Sequence, residues 1–107
     1  MMGAAVKDDA PGWALVLVDY ARHLRLERGL SVHTVRAYLA DLNDLAGHAV
    51  RAQVHHPADL DLRTLRSWLA LQQTRGKARS TVARRATSVR VFTAWLLRTG
   101  RSPSDPS

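Results

Sequence analysis

Cysteine is absent from this 107-residue chain, which excludes a disulfide framework, a thiolate metal site and a cysteine nucleophile, and fits a reducing compartment. No apolar run approaches the roughly 18 residues of a membrane span. Asp8 and Asp9 stand where a signal peptide needs an apolar core. The expectation is a soluble, cytoplasmic chain with no membrane partner. Also missing are a Gly-rich phosphate loop, a His-Glu metal helix and any nucleophile motif. Between Asp61 and Asp105 there is no acidic residue at all, and lysine contributes only Lys7 and Lys77 to the sixteen cations.

What is present is arginine on an apolar framework. Apolar residues make up 46% of the chain, enough for one domain with a core of its own. Residues 1–59 hold six Lys or Arg against seven Asp or Glu, net −1, whereas residues 60–107 hold ten against two, net +8. The basicity therefore belongs to the second half, and an anionic partner is the first expectation. Arginine's planar fork suits phosphate oxygens and guanine edges. A GC-rich genome also favours arginine over lysine codons, but codon bias does not remove acids from one half of a chain.

The periodicity predicts an all-α fold of four helices. Residues 1–11 lack periodicity and read as a loose tail. A first helix runs from Gly12 or Trp13 to Arg28, with Trp13, Leu17, Tyr20, Ala21 and Leu24 on one stripe and Gly29 as its stop. Leu15, Val18 and Leu26 form a second apolar stripe. Core in a tightly wrapped bundle is the preferred reading of that stripe, and a surface for a neighbouring protein copy is the other. Ser31 opens a second helix to about His48. Its buried stripe is Val32, Val35, Leu39, Leu42, Leu45 and Ala46, its early outward side is His33, Thr34, Arg36 and Ala37, and Asp41 and Asp44 fall on the outside of later turns. Residues 49–60 read as a loop; His48, His55 and His56 there match no familiar metal spacing, and no metal or other cofactor is expected. Asp61 caps a third helix to about Thr74, and Gly76 ends it. The cationic connector Arg75–Arg79, with Lys77, leads to a fourth helix from Ser80 to Thr99, stopped by Gly100.

On the fourth helix Val82, Ala86, Val89, Thr93, Leu96 and Leu97 should be buried, with Ser80, Thr81, Arg84, Thr87, Ser88 and Arg98 opposite. Val91 and Trp95 fall on the outward side, so Trp95 should either pack on the connector or tail or meet another domain or subunit. Residues 101–107, RSPSDPS, have linker composition. Tyr20 and Tyr38 lie on or near apolar stripes, as core tyrosines do. Catalysis by this chain alone is not expected.

Two segments together resemble a known family. Gly29–Leu45 looks like the S-x-x-T-x-x-x-Y-x-x-D-L signature of the N-terminal core-binding domain of Xer-type tyrosine recombinases, with Ser31, Thr34, Tyr38, Asp41 and Leu42 in place. Ala83, Arg84, Arg85, Ser88, Arg90 and Phe92 resemble the last helix of that SAM-like domain. The resemblance implies a four-helix bundle forming half of a clamp on double-stranded DNA. It implies contacts from Ser31, His33, Thr34, Arg36 and Ala37, and from Ser80, Thr81, Arg84, Arg85 and Ser88. Lys77 and Arg79 of the cationic connector join the expected DNA contacts by their charge, and Arg85 and Arg90, at the flanks of the buried stripe, can snorkel to phosphate. The resemblance also implies a separate catalytic domain beyond a linker starting at residue 101. The parent would assemble with other recombinase subunits in a tetrameric synapse, while the domain of residues 12–100 stays monomeric in solution. The departures from the family pattern are Ala86, where a larger apolar residue is usual, and Thr93, where an aromatic is common. A phage or transposon integrase of the same kind, and a small protein-interaction module using the outer stripe of the first helix with Trp95, are the alternatives.

Overall fold

The computed structural model describes residues 11–106, so the expected tail lies outside the described residues except for Pro11. Among the described residues the fold is all-α, with four helices and no strand. We label them α1 (Pro11–Arg22), α2 (Val32–Arg51), α3 (Leu62–Thr74) and α4 (Arg79–Arg98). The chain divides into two compact units, one ending at Pro57 and the other beginning at Ala58.

In the first unit, Pro11 opens α1, where its fixed φ suits the first helical position and its missing N–H is not needed. The helix does not run unbroken to Arg28 as the periodicity predicts. It widens into a π-turn over His23–Glu27, closed by the Arg28 N–H donating to the His23 carbonyl at 3.1 Å. His23 Nδ1 lies 2.7 Å from Glu27 Oε1 across that turn. Gly29 then takes φ +62°, a left-handed conformation that costs a side-chain-bearing residue energy, and the Leu30 N–H closes back on the Leu24 carbonyl at 3.0 Å. Trp13, Leu17, Tyr20 and Leu24 are buried, as their stripe predicts. The second stripe is not core: Leu15, Val18 and Leu26 are 69%, 62% and 68% exposed.

Ser31 caps α2, its hydroxyl accepting from the Thr34 N–H at 3.2 Å. Val35, Leu42, Leu45, Ala46 and Ala49 are buried, but Val32 is 59% exposed because it sits in the unpacked first turn. Asp41, expected on the solvated side, has no exposed surface, and Asp44 is half-buried. The helix continues to Arg51, past the expected end at His48. Its left-handed stop is Gln53, at φ +70°, a role the sequence does not advertise because Gln is not a usual residue there. Trp13 Nε1–H donates to the Val54 carbonyl at 3.1 Å, tying the chain after α2 to the start of α1.

In the second unit, Asp61 caps α3, with Oδ1 accepting from the Thr64 N–H at 2.8 Å. Gly76, at φ +73°, ends the helix where expected. Helix α4 begins at Arg79 rather than after a Ser80 cap; Ala78, in an extended conformation, is the cap residue and supplies no side-chain acceptor. Its buried residues are Ser88, Val89, Phe92, Thr93, Trp95 and Leu96. The face is thus rotated toward Ser88 and Trp95 relative to the predicted stripe, leaving Leu97 43% exposed and Val82 half-buried. Leu60, Leu65 and Trp68 supply the buried apolar side chains of Leu60–Thr74.

Candidate nucleic-acid interface

Two surfaces carry the residues singled out from sequence, and each belongs to one unit. On the first unit, the start of α2 exposes Ser31, His33 and Arg36, with Thr34 and Ala37 half-buried beside them. Ser31 Oγ also donates to Thr34 Oγ1 at 3.1 Å, so both hydroxyls are held in the cap. What this patch offers outward is the His33 ring, the Arg36 guanidinium and the positive end of a 20-residue helix. A depression of about 340 Å³ beside it is lined by Arg25, Arg36, Val32, Val35, Leu39 and Ala21.

On the second unit, the connector and α4 as far as Arg90 expose Lys77, Arg79, Ser80, Ala83, Arg84, Thr87 and Arg90. Lacking a side-chain cap, the first turn of α4 leaves its backbone N–H groups to solvent or to an anion. Gln73, Lys77, Arg79, Val82 and Ala83 line a depression of about 430 Å³ at this end. Gln73 was not among the expected contacts; an uncharged glutamine one residue from a helix end carries no distinctive sequence signal. Arg90 is held outward, its Nη2 donating to Thr87 Oγ1 at 3.2 Å.

Two expectations about α4 are corrected, those for Ser88 and Trp95. Ser88 is buried, with 1% of its surface exposed, so it is not on the outward row; the exposed hydroxyl at that level is Thr87. Arg85, placed by the periodicity at the flank of the buried stripe, is half-buried and turned onto α3, where Nη1 donates to Gln72 Oε1 and the guanidinium lies 5.9 Å from the centroid of the Trp68 ring. Trp95 is buried, and Arg101 covers it. Thr81 is half-buried, at the edge of the row.

Among the described residues, no three His, Cys, Asp or Glu side chains are gathered where they could hold a metal ion. His55 hydrogen-bonds Gln53 at 3.2 Å, and the His56 ring lies over Gly12, whose missing Cβ makes room for it. No described helix is long and apolar enough to cross a membrane.

Residues 17–100 match the family described as the phage integrase N-terminal SAM-like domain. This chain belongs to that family. Its relatives include the tyrosine recombinase XerC of Mycobacterium sp. (strain KMS), 45% identical over 93 residues, covering 86% of this chain and 31% of the relative. The XerC proteins of Mycobacterium tuberculosis (strain ATCC 25177 / H37Ra) and Mycobacterium bovis (strain BCG / Pasteur 1173P2) are likewise 45% identical over 93 residues, covering 30% of each. The chain spans about a third of the length of the curated relatives it matches. No solved structure matches it. The integrase SAM-like match takes in both exposed cationic surfaces and both recognised motifs, and it stops at Gly100, just past the end of α4 at Arg98.

Proposed function

We propose that this domain binds double-stranded DNA and holds a longer, XerC-like tyrosine recombinase on its recombination site, in the manner of chromosome-dimer resolution. The carrying observation is the solvent face of α4 and its connector: Lys77, Arg79, Arg84 and Arg90 are all exposed, and the sequence has no acid between Asp61 and Asp105. Phosphate contacts from this face supply most of the affinity, with the uncapped first turn of α4 adding backbone donors. Arg84 is the best placed to read a base edge, with Ser80 and Thr87 beside it, and the Ser31–Ala37 patch supplies a second contact surface. Strand cleavage belongs to another domain of the longer protein. The exposed stripe of Leu15, Val18 and Leu26 supports contact with other recombinase subunits on DNA.

Selection from a random duplex pool tests this reading. The expected result is recovery of a short common sequence that the chain binds better than scrambled duplex. Recovery of no common sequence, with no retention of duplex, would remove the reading.

A further inference from the structure

Arg84 and Arg85 are adjacent, and the structure divides them. Arg84 is exposed, whereas Arg85 is half-buried with its guanidinium against α3. Gln72, its partner, has no exposed surface. The Gln72 amide is already oriented, because Nε2 donates to the Trp68 carbonyl at 3.0 Å. That leaves Oε1 facing Arg85, and a buried amide oxygen with no donor is costly. The same guanidinium lies over the Trp68 ring, itself fully buried. Three side chains on two helices thus bear on one another across the α3–α4 seam.

We propose that Arg85 is a positioning residue rather than a DNA contact: through Gln72 and Trp68 it fixes the rotation of α4, and with it the direction in which Ser80, Arg84 and Thr87 face. The clamp itself stands on the contacts above, and its consequence for DNA rests on the function proposed here. Successive residues on a helix point about 100° apart, so an inward Arg85 sets the direction in which Arg84 leaves the helix. Assigning one inward makes the outward aim of the other rigid, and a preorganised side chain loses less entropy on binding.

The test uses Arg85→Ala, Arg85→Lys, Gln72→Leu and Gln72→Glu in the 107-residue chain, with two readouts. The first needs no DNA: hydrogen exchange of the amides in the first half of α4, and the thermal midpoint. Arg85→Ala and Gln72→Leu should each speed exchange and lower the midpoint, the double variant should be little worse than either alone, and Gln72→Glu should fall between Gln72→Leu and the parent, because its carboxylate still accepts from Nη1 but cannot donate to the Trp68 carbonyl. The second is affinity for the selected duplex against salt. Arg85→Ala and Gln72→Leu should weaken binding equally, by about three- to tenfold, with the salt slope unchanged, and Arg85→Lys should follow them because an ammonium lacks the fork. A neutral Gln72→Leu beside an Arg85→Ala that lowers the slope by about 1 would make Arg85 a phosphate contact and overturn the proposal. Unchanged exchange and midpoint in every variant would overturn it as well. A parent chain that binds no duplex would remove the proposed function, and the exchange readout would still decide whether Arg85 clamps α4.

Discussion

The guanidinium of Arg101 lies 4.3 Å from the centroid of the Trp95 ring, one turn and a half back along the chain. Gly100 makes this possible at φ +74°, turning the backbone so that the Arg101 and Ser102 N–H groups both reach the Leu96 carbonyl, at 2.8 and 3.2 Å. Ser102 is buried and donates its hydroxyl proton to the Ser104 carbonyl at 2.8 Å. The segment read as linker from residue 101 is therefore anchored to α4 through Ser102. Arg101→Ala should cost about 0.5–2 kcal/mol and shift tryptophan emission to the red as Trp95 gains water, whereas Arg101→Lys should cost less. Chemical denaturation followed by fluorescence checks both, and an Ala variant indistinguishable from the parent would show that Trp95 is covered without Arg101.

Ser88 and Thr87 offer a direct contrast between core and surface. Ser88→Lys puts a long cation where 1% of the surface is exposed and should cost more than about 2 kcal/mol of stability. Thr87→Ala, one residue earlier and exposed, should change stability by no more than about 0.5 kcal/mol. Urea unfolding of the two variants measures this, and equal effects would contradict the rotation of α4 described above.

The helix ends were legible where residue chemistry dictates them. Ser31 and Asp61 cap as expected, and Gly29, Gly76 and Gly100 all take positive φ. The stop at Gln53 was not, since a side-chain-bearing residue in that conformation gives no compositional signal. Of the two surfaces, the exposure of His33, Arg36, Ser80 and Arg84 could be read from periodicity. Ser88 and Asp41 could not, for a shared physical reason. A hydroxyl and a carboxyl group both read as polar, and only their partners in the folded chain make burial tolerable. Trp95 shows the converse, an aromatic on the apparent outer side that is covered by a residue beyond the helix.

The acid limb of stability has an identifiable contributor. The Asp61 carboxylate is held below its ordinary value of 3.8, first by the Thr64 backbone N–H, then by the Thr64 hydroxyl, with the Arg63 charge adding to both. A depressed carboxyl contributes stability above its unfolded value, and that contribution is lost as pH falls through the lower folded value. Asp61→Asn keeps a capping oxygen but cannot titrate, so its thermal midpoint should fall less than the parent's between about pH 5 and pH 2. Parallel curves for the two proteins would remove Asp61 from the acid response.

Arg84→Ala should weaken binding to the selected duplex by about 1–3 kcal/mol if its fork engages a base edge, and weaken scrambled duplex less. Fluorescence anisotropy on both duplexes separates the cases. Equal losses would assign Arg84 to phosphate.

The salt dependence of duplex affinity bears on the central claim most directly. Each phosphate neutralised by an exposed cation contributes about 0.9 to the slope of log affinity against log salt, so engagement by Lys77, Arg79, Arg84 and Arg90 predicts roughly a hundredfold loss between about 50 and 200 mM salt. Affinity that stays constant over that range would contradict the assignment of this basic face to DNA.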